Sequence, residues 1–140
     1  MAFCSTHDIH PYVELKSNIT QNRVYELLNI VDKYNMREKT SWVSFSIEYL
    51  QYMKNADPKA ELGLNTVDVN DNTYNMVQSL KTSENTPFLS ISTSCLNNAL
   101  VQRCKSENIP IGVWVCDTRN EVFELDPYIA IVTTNQVLLD

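Results

Sequence analysis

Six short runs of strand-forming residues, at 12–16, 41–45, 61–65, 88–92, 109–116 and 129–133, limit this chain more than any other feature of its sequence. Between them lie stretches with helical character. Over 20–34 the apolar residues Val24, Leu27, Leu28, Val31 and Tyr34 recur at helical spacing, with Thr20 or Asn18 placed to cap. A second helical stretch over 47–55 is broken by Asp57-Pro58. A third, over 72–81, carries Met76, Val77 and Leu80 behind Asp71 as its cap, and a fourth, over 96–107, sets Leu96, Ala99, Leu100 and Cys104 on one side. Residues 121–125 predict a short helix, and residues 2–9 read as the last turn of another. Each connection is long enough for a crossover, so the strands are expected to be parallel and covered by helices.

Alternation within the strands separates two parallel architectures. A doubly wound sheet, buried on both faces, calls for near-continuous aliphatic strands. Here Leu89 and Ile91 alternate with Phe88, Ser90 and Ser92; Val43 and Phe45 alternate with Trp42, Ser44 and Ser46; Leu62 and Leu64 alternate with Gly63 and Asn65. Ile111, Val113 and Val115 share one face, leaving Gly112, Trp114 and Cys116 on the other. One aliphatic face suits covering helices, and one small, polar or aromatic face suits the interior and mouth of a barrel. The expected fold is therefore α/β, a partial (β/α) barrel with outer helices.

Size and charge narrow the function. A chain of 140 residues suits one domain, 1–140, and buries about 68% of its unfolded surface. Only 2 glycines and 44% hydrophobic residues argue against disorder and against a turn-rich all-β fold. A net charge of -6 without any Lys/Arg run points away from nucleic acid and anionic membrane, and towards small molecules or proteins. Cys4, Cys95, Cys104 and Cys116 lack Cys-x-x-Cys spacing and are expected to be buried free thiols. No leader-like segment or membrane-length apolar run is present, so a cytoplasmic location is expected.

The first strand, Tyr12-Val13-Glu14-Leu15-Lys16, places an acid and a base two residues apart and so on one face, together with Tyr12. Val13 and Leu15 fall on the helix-facing side. His7 and His10 lie at or before its amino end, at the face opposite a barrel mouth, and no catalytic role is assigned to them. Ser44, Ser90 and Ser92 lack a nearby histidine of the kind a nucleophilic serine requires, and read as barrel-lining residues.

The ordered series Glu14-Leu15-Lys16, Ser44-Phe45, Leu62-Gly63-Leu64 and Val113-Trp114-Val115, with Ile129–Thr133 following, resembles the glycerophosphodiester phosphodiesterase family, a barrel of the triosephosphate isomerase type. The resemblance runs from Phe3 onward and covers the carboxyl-terminal portion, roughly strands three to eight. It implies metal-dependent hydrolysis of glycerophosphodiesters to glycerol phosphate and an alcohol, with calcium or magnesium neutralising charge at phosphorus and two histidines moving protons. By that resemblance Glu14 is a metal ligand, Lys16 contacts the phosphate as a point charge, and Trp114 lines the pocket for the glycerol or alcohol moiety. The family's His-Arg pair, its Glu-x-Asp pair and its second histidine all lie upstream of the Glu-Leu-Lys strand and have no counterpart here. Thr134 stands where an Asp often closes the eighth strand, and Asp126-Pro127-Tyr128 lacks the usual Gly. The resemblance therefore implies a chain with no catalytic residues of its own, inactive alone, and open along two barrel edges. Such edges invite self-association or a partner chain. A non-enzymatic assembly module derived from the barrel is the alternative expectation.

Overall fold

The computed structural model describes residues 1–136. Its strands are β1 (Tyr12–Glu14), β2 (Ser41–Ser44), β3 (Glu61–Thr66), β4 (Phe88–Ser92), β5 (Ile111–Trp114) and β6 (Ile129–Thr133). All neighbouring pairs are parallel, and the spatial order is the order of the sequence. A doubly wound sheet reverses its strand order at a switch point. This sheet never reverses.

It also curls. The Tyr12 hydroxyl on β1 lies 3.2 Å from Ser90 Oγ on β4. Three strand spacings would separate those strands by about 14 Å in a flat sheet, so the faces carrying Tyr12 and Ser90 have turned towards each other. Tyr12 and Phe88 approach in the same interior, with ring centroids 6.2 Å apart. One cavity is shared by His10 and Tyr12 at β1 and by Ile131 and Thr133 on β6, at the two ends of the strand order. The result is a curled, partial barrel of the triosephosphate isomerase type.

Helices α1 (Ala2–His7), α2 (Gln21–Asp32), α3 (Ile47–Ala56), α4 (Asp71–Ser79), α5 (Asn98–Glu107) and α6 (Arg119–Phe123) complete the fold. The core lies between the sheet and its helices. Leu62, Leu89, Ile91, Ile111 and Val113 from the sheet join Val24, Leu28, Leu50, Met53, Val77 and Val101 from the helices. Caps fix where the helices begin. Thr20 accepts from Arg23 N, Asn97 from Leu100 N, and Thr118 with Glu121 forms a capping box on α6. On α4 the cap is Asn70 rather than Asp71: its side chain accepts from Asn72 N and Thr73 N, while Thr73 accepts from Asn70 N in return. Cys104 and Cys116 are buried, but Cys4 and Cys95 are only half-buried, and all four are free thiols.

Two further details depart from the sequence expectation. On β2 the aliphatic-outward rule fails. Trp42 belongs to the helix-facing core, whereas Val43 and Phe45 line the interior cavity. Beyond β5 the alternation stops, and Cys116 joins the helix-facing core instead of following Trp114 inward.

Candidate active site at the barrel mouth

Parallel strands bring all their carboxyl ends to one side of the sheet. There, Tyr12, Glu14 and Lys16 share a cavity of about 390 Å³ with Val43, Phe45, Asn65, Ser90, Trp114 and Thr133. All three residues assigned from the sequence, Glu14, Lys16 and Trp114, are thus brought together. Glu14 Oε2 lies 3.2 Å from Lys16 Nζ, so the acid and base spaced two apart do share a face. Lys16 reaches into solvent, with 74% of its side chain exposed against 31% for Glu14. Such a pair contributes at most about 1 kcal/mol to stability.

The apolar wall is formed by Phe45 and Trp114, packed edge to face with centroids 5.9 Å apart and planes at 75°. Below it, burial pushes the Tyr12 phenol up from its ordinary pKa. The hydrogen bond with Ser90 opposes that shift, and the charges of Glu61 and Glu14 add to it. Gly63 is required by the interior: a Cβ there would come within 2.3 Å of Phe88 Cζ.

Asn65 is the residue that motif spacing missed. It is 8% exposed, lines the cavity, and its Oδ1 has no hydrogen-bond partner. Trp114 Nε1 is likewise buried without a partner. Buried polar atoms are satisfied in the great majority of cases; these two belong to residues that line the cavity and have no partner among the described residues. The only signal in the sequence was the alternation that put Asn65 opposite Leu62 and Leu64.

The sequence matches no family model and no curated protein. Solved structures do match. A putative glycerophosphodiester phosphodiesterase from Galdieria sulphuraria superposes with a TM-score of 0.76 at 18% identity, over 91% of this chain and 54% of that one. An Oleispira antarctica phosphodiesterase in complex with the product sn-glycerol-3-phosphate gives 0.78 at 14% identity, over 93% of this chain and 53% of that one. A glycerophosphodiester phosphodiesterase from Parabacteroides distasonis gives 0.71 at 19%, over 91% and 53%.

The fold is that of the glycerophosphodiester phosphodiesterases. The chain spans about half the length of these solved structures. Glu14, Lys16 and Trp114 sit at the mouth of this glycerophosphodiester phosphodiesterase-like half-barrel, where the ligands of such barrels meet the strand ends.

A divalent cation is a separate matter. Calcium takes six to eight oxygen ligands, and magnesium a near-ideal octahedron. Among the described residues no group of three or more His, Cys, Asp or Glu side chains is placed to hold a metal ion. Glu14 contributes one carboxylate, already paired with Lys16. The residues present at the mouth therefore do not fit calcium or magnesium by themselves.

The two histidines lie elsewhere. His7 stacks on Phe3 and places Nδ1 2.9 Å from the Phe3 carbonyl, within one turn of α1. His10 turns to the amino end of the sheet, against Ser41 and Glu61. Among the described residues no helix is long and apolar enough to cross a membrane.

Proposed function

We propose that this chain forms one wall of a phosphodiester site and that it hydrolyses nothing alone. The observation that carries this reading is the pairing of Glu14 with Lys16 over a partly apolar cavity at the carboxyl ends of an incomplete barrel. Lys16 supplies a mobile cation for a phosphate oxygen. Trp114 and Phe45 offer a face for the alcohol or glycerol portion, and Asn65 and Ser90 add polar side chains to the cavity lining. Glu14 becomes a useful ligand for calcium or magnesium only when further carboxylates are supplied beside it. The proton-moving groups must come from outside as well, since neither His7 nor His10 lines the cavity. The test is hydrolysis of glycerophosphocholine or bis(p-nitrophenyl) phosphate by the purified chain, with magnesium or calcium added. No turnover is expected, and metal-dependent turnover overturns the reading.

A second reading, as an assembly module, is favoured by the sheet edges. Among the described residues β1 pairs only with β2, and β6 only with β5. Tyr34 and Ile30 on or just after α2, and Val132 on β6, are exposed apolar side chains. Backbone donors and acceptors left open beside apolar surface invite another strand. A self-associated species or a complex with a gap-filling polypeptide is expected in sedimentation. Strictly monomeric behaviour at high concentration, with one cooperative thermal transition, contradicts it.

A further inference from the structure

Beneath the mouth, two aromatic rings occupy the interior of the half-barrel. Phe88 on β4 takes the side facing β3 and β5: a Cβ at Gly63 would come within 2.3 Å of its Cζ, and one at Gly112 within 3.6 Å of its Cε2. Tyr12 takes the β1 side. Its ring lies 6.2 Å from that of Phe88, and its hydroxyl reaches across the interior to Ser90 Oγ at 3.2 Å. The two rings differ in what lies on either side of them. Phe88 is 1% exposed and lines neither of the cavities that Tyr12 meets. Tyr12 lines both the mouth cavity of about 390 Å³ and the amino-end cavity of about 510 Å³, and among the described residues only Thr133 does the same.

We propose that the Tyr12 ring is the floor of the mouth cavity and the side chain that limits its ligands to phosphate esters of compact alcohols. This rests on the phosphodiester reading of the mouth and adds a selectivity to it. Glu14 and Lys16 follow Tyr12 at alternate positions, so the phosphate-binding cation stands above the ring on the same face. A phosphate held at Lys16 leaves its alcohol portion between the wall of Phe45 and Trp114 and the ring of Tyr12. A short polyol or alkyl group ends there. A longer chain meets the ring, although the amino-end cavity behind it offers Ile131 and Val132 as apolar lining.

Truncating the side chain at Cβ removes the ring that stands between the two cavities, and a long chain then gains Ile131 and Val132 as contacts. Each methylene that leaves water contributes about fourfold in affinity. In the plain alternative Tyr12 only packs against Phe88, and ligand length is indifferent to it.

Calorimetric titration of the purified chain with butyl phosphate, and with decyl phosphate below its micelle concentration, separates the two. The gain in affinity from butyl to decyl is expected to be about tenfold or more larger in Tyr12→Ala than in the wild-type chain, the burial of two or more further methylenes. Tyr12→Val, which keeps strand propensity, is expected to show the same gain and decides the matter should Tyr12→Ala not fold by far-UV circular dichroism. Tyr12→Phe keeps the ring and is expected to match the wild type. Lys16→Gln is expected to weaken both esters, which places them at the mouth. An equal gain in the wild type and the truncated variants, or a Tyr12→Phe chain that behaves like Tyr12→Ala, overturns the proposal while leaving the phosphodiester reading intact. Failure of the wild-type chain to bind butyl phosphate, or binding indifferent to Lys16→Gln, overturns that reading and the proposal with it.

Discussion

The two ends of this sheet use the same strands to opposite effect. At the amino end, His10, Ser41 and Glu61 are mutually hydrogen-bonded or ion-paired. At the carboxyl end, Glu14 pairs with the exposed Lys16, and two buried polar atoms, Asn65 Oδ1 and Trp114 Nε1, have no partner among the described residues. Buried polar groups left unpaired cost roughly 1–3 kcal/mol each. Trp42 Nε1 is likewise unpartnered among the described residues, yet Trp42 belongs to the helix-facing core and lines no described cavity. What distinguishes the mouth is the cavity that Glu14, Lys16 and Trp114 share.

Removing the interior residue that supports both ends breaks the comparison most severely. Phe88 is fully buried against Tyr12, which lines both cavities. Phe88→Ala is expected to cost about 3–5 kcal/mol, measured by urea denaturation. Overfilling the same place costs less. Gly63→Ala forces the Phe88 ring to shift, and an increment of about 1–3 kcal/mol is expected; a neutral result contradicts the interior packing described.

The alkaline limb of stability tests the outer layer. Burial pushes the Cys104 thiol from its ordinary 9.0 up to about 11, with Glu107 adding to the shift. Between those values the unfolded chain has released a proton that the folded chain still holds, so stability falls as pH rises from about 9 towards 11. Tyr74 and Tyr128, both raised mainly by burial, act in the same direction. Denaturation midpoints across that window check the sign. The smallest effect belongs to the mouth. Glu14→Gln is expected to change stability by no more than about 0.5 kcal/mol, because its ion pair is largely solvated. A large loss instead makes Glu14 a structural residue.

Much of the scaffold was legible in local pattern. Crossover-length connections implied parallel strands, and the strand alternation selected a barrel over a doubly wound sheet. Glu14 and Lys16 could be placed together because they lie two residues apart at the end of β1. What failed depended on shape or on distance along the chain. Aromatic character does not fix the face of Trp42: it lies in the layer containing Val24, Leu28 and Leu50, while Val43 and Phe45 line the cavity. Asn70 caps α4 without the usual signature, because its reciprocal partner is Thr73 rather than a Glu or Gln. The cluster of His10, Ser41 and Glu61 joins residues 31 and 20 positions apart in the chain, a proximity only strand register creates.

The central claim is that this half-barrel carries one wall of a phosphodiester site and depends on added strands for the other. Its most direct test is complementation: the chain is mixed with a polypeptide carrying the first two strands of a glycerophosphodiester phosphodiesterase barrel, and glycerophosphocholine hydrolysis is followed with magnesium or calcium present. The account predicts no turnover by either piece alone and metal-dependent turnover by the mixture, abolished by Glu14→Gln. Turnover by this chain alone, or restored turnover indifferent to Glu14→Gln, contradicts it.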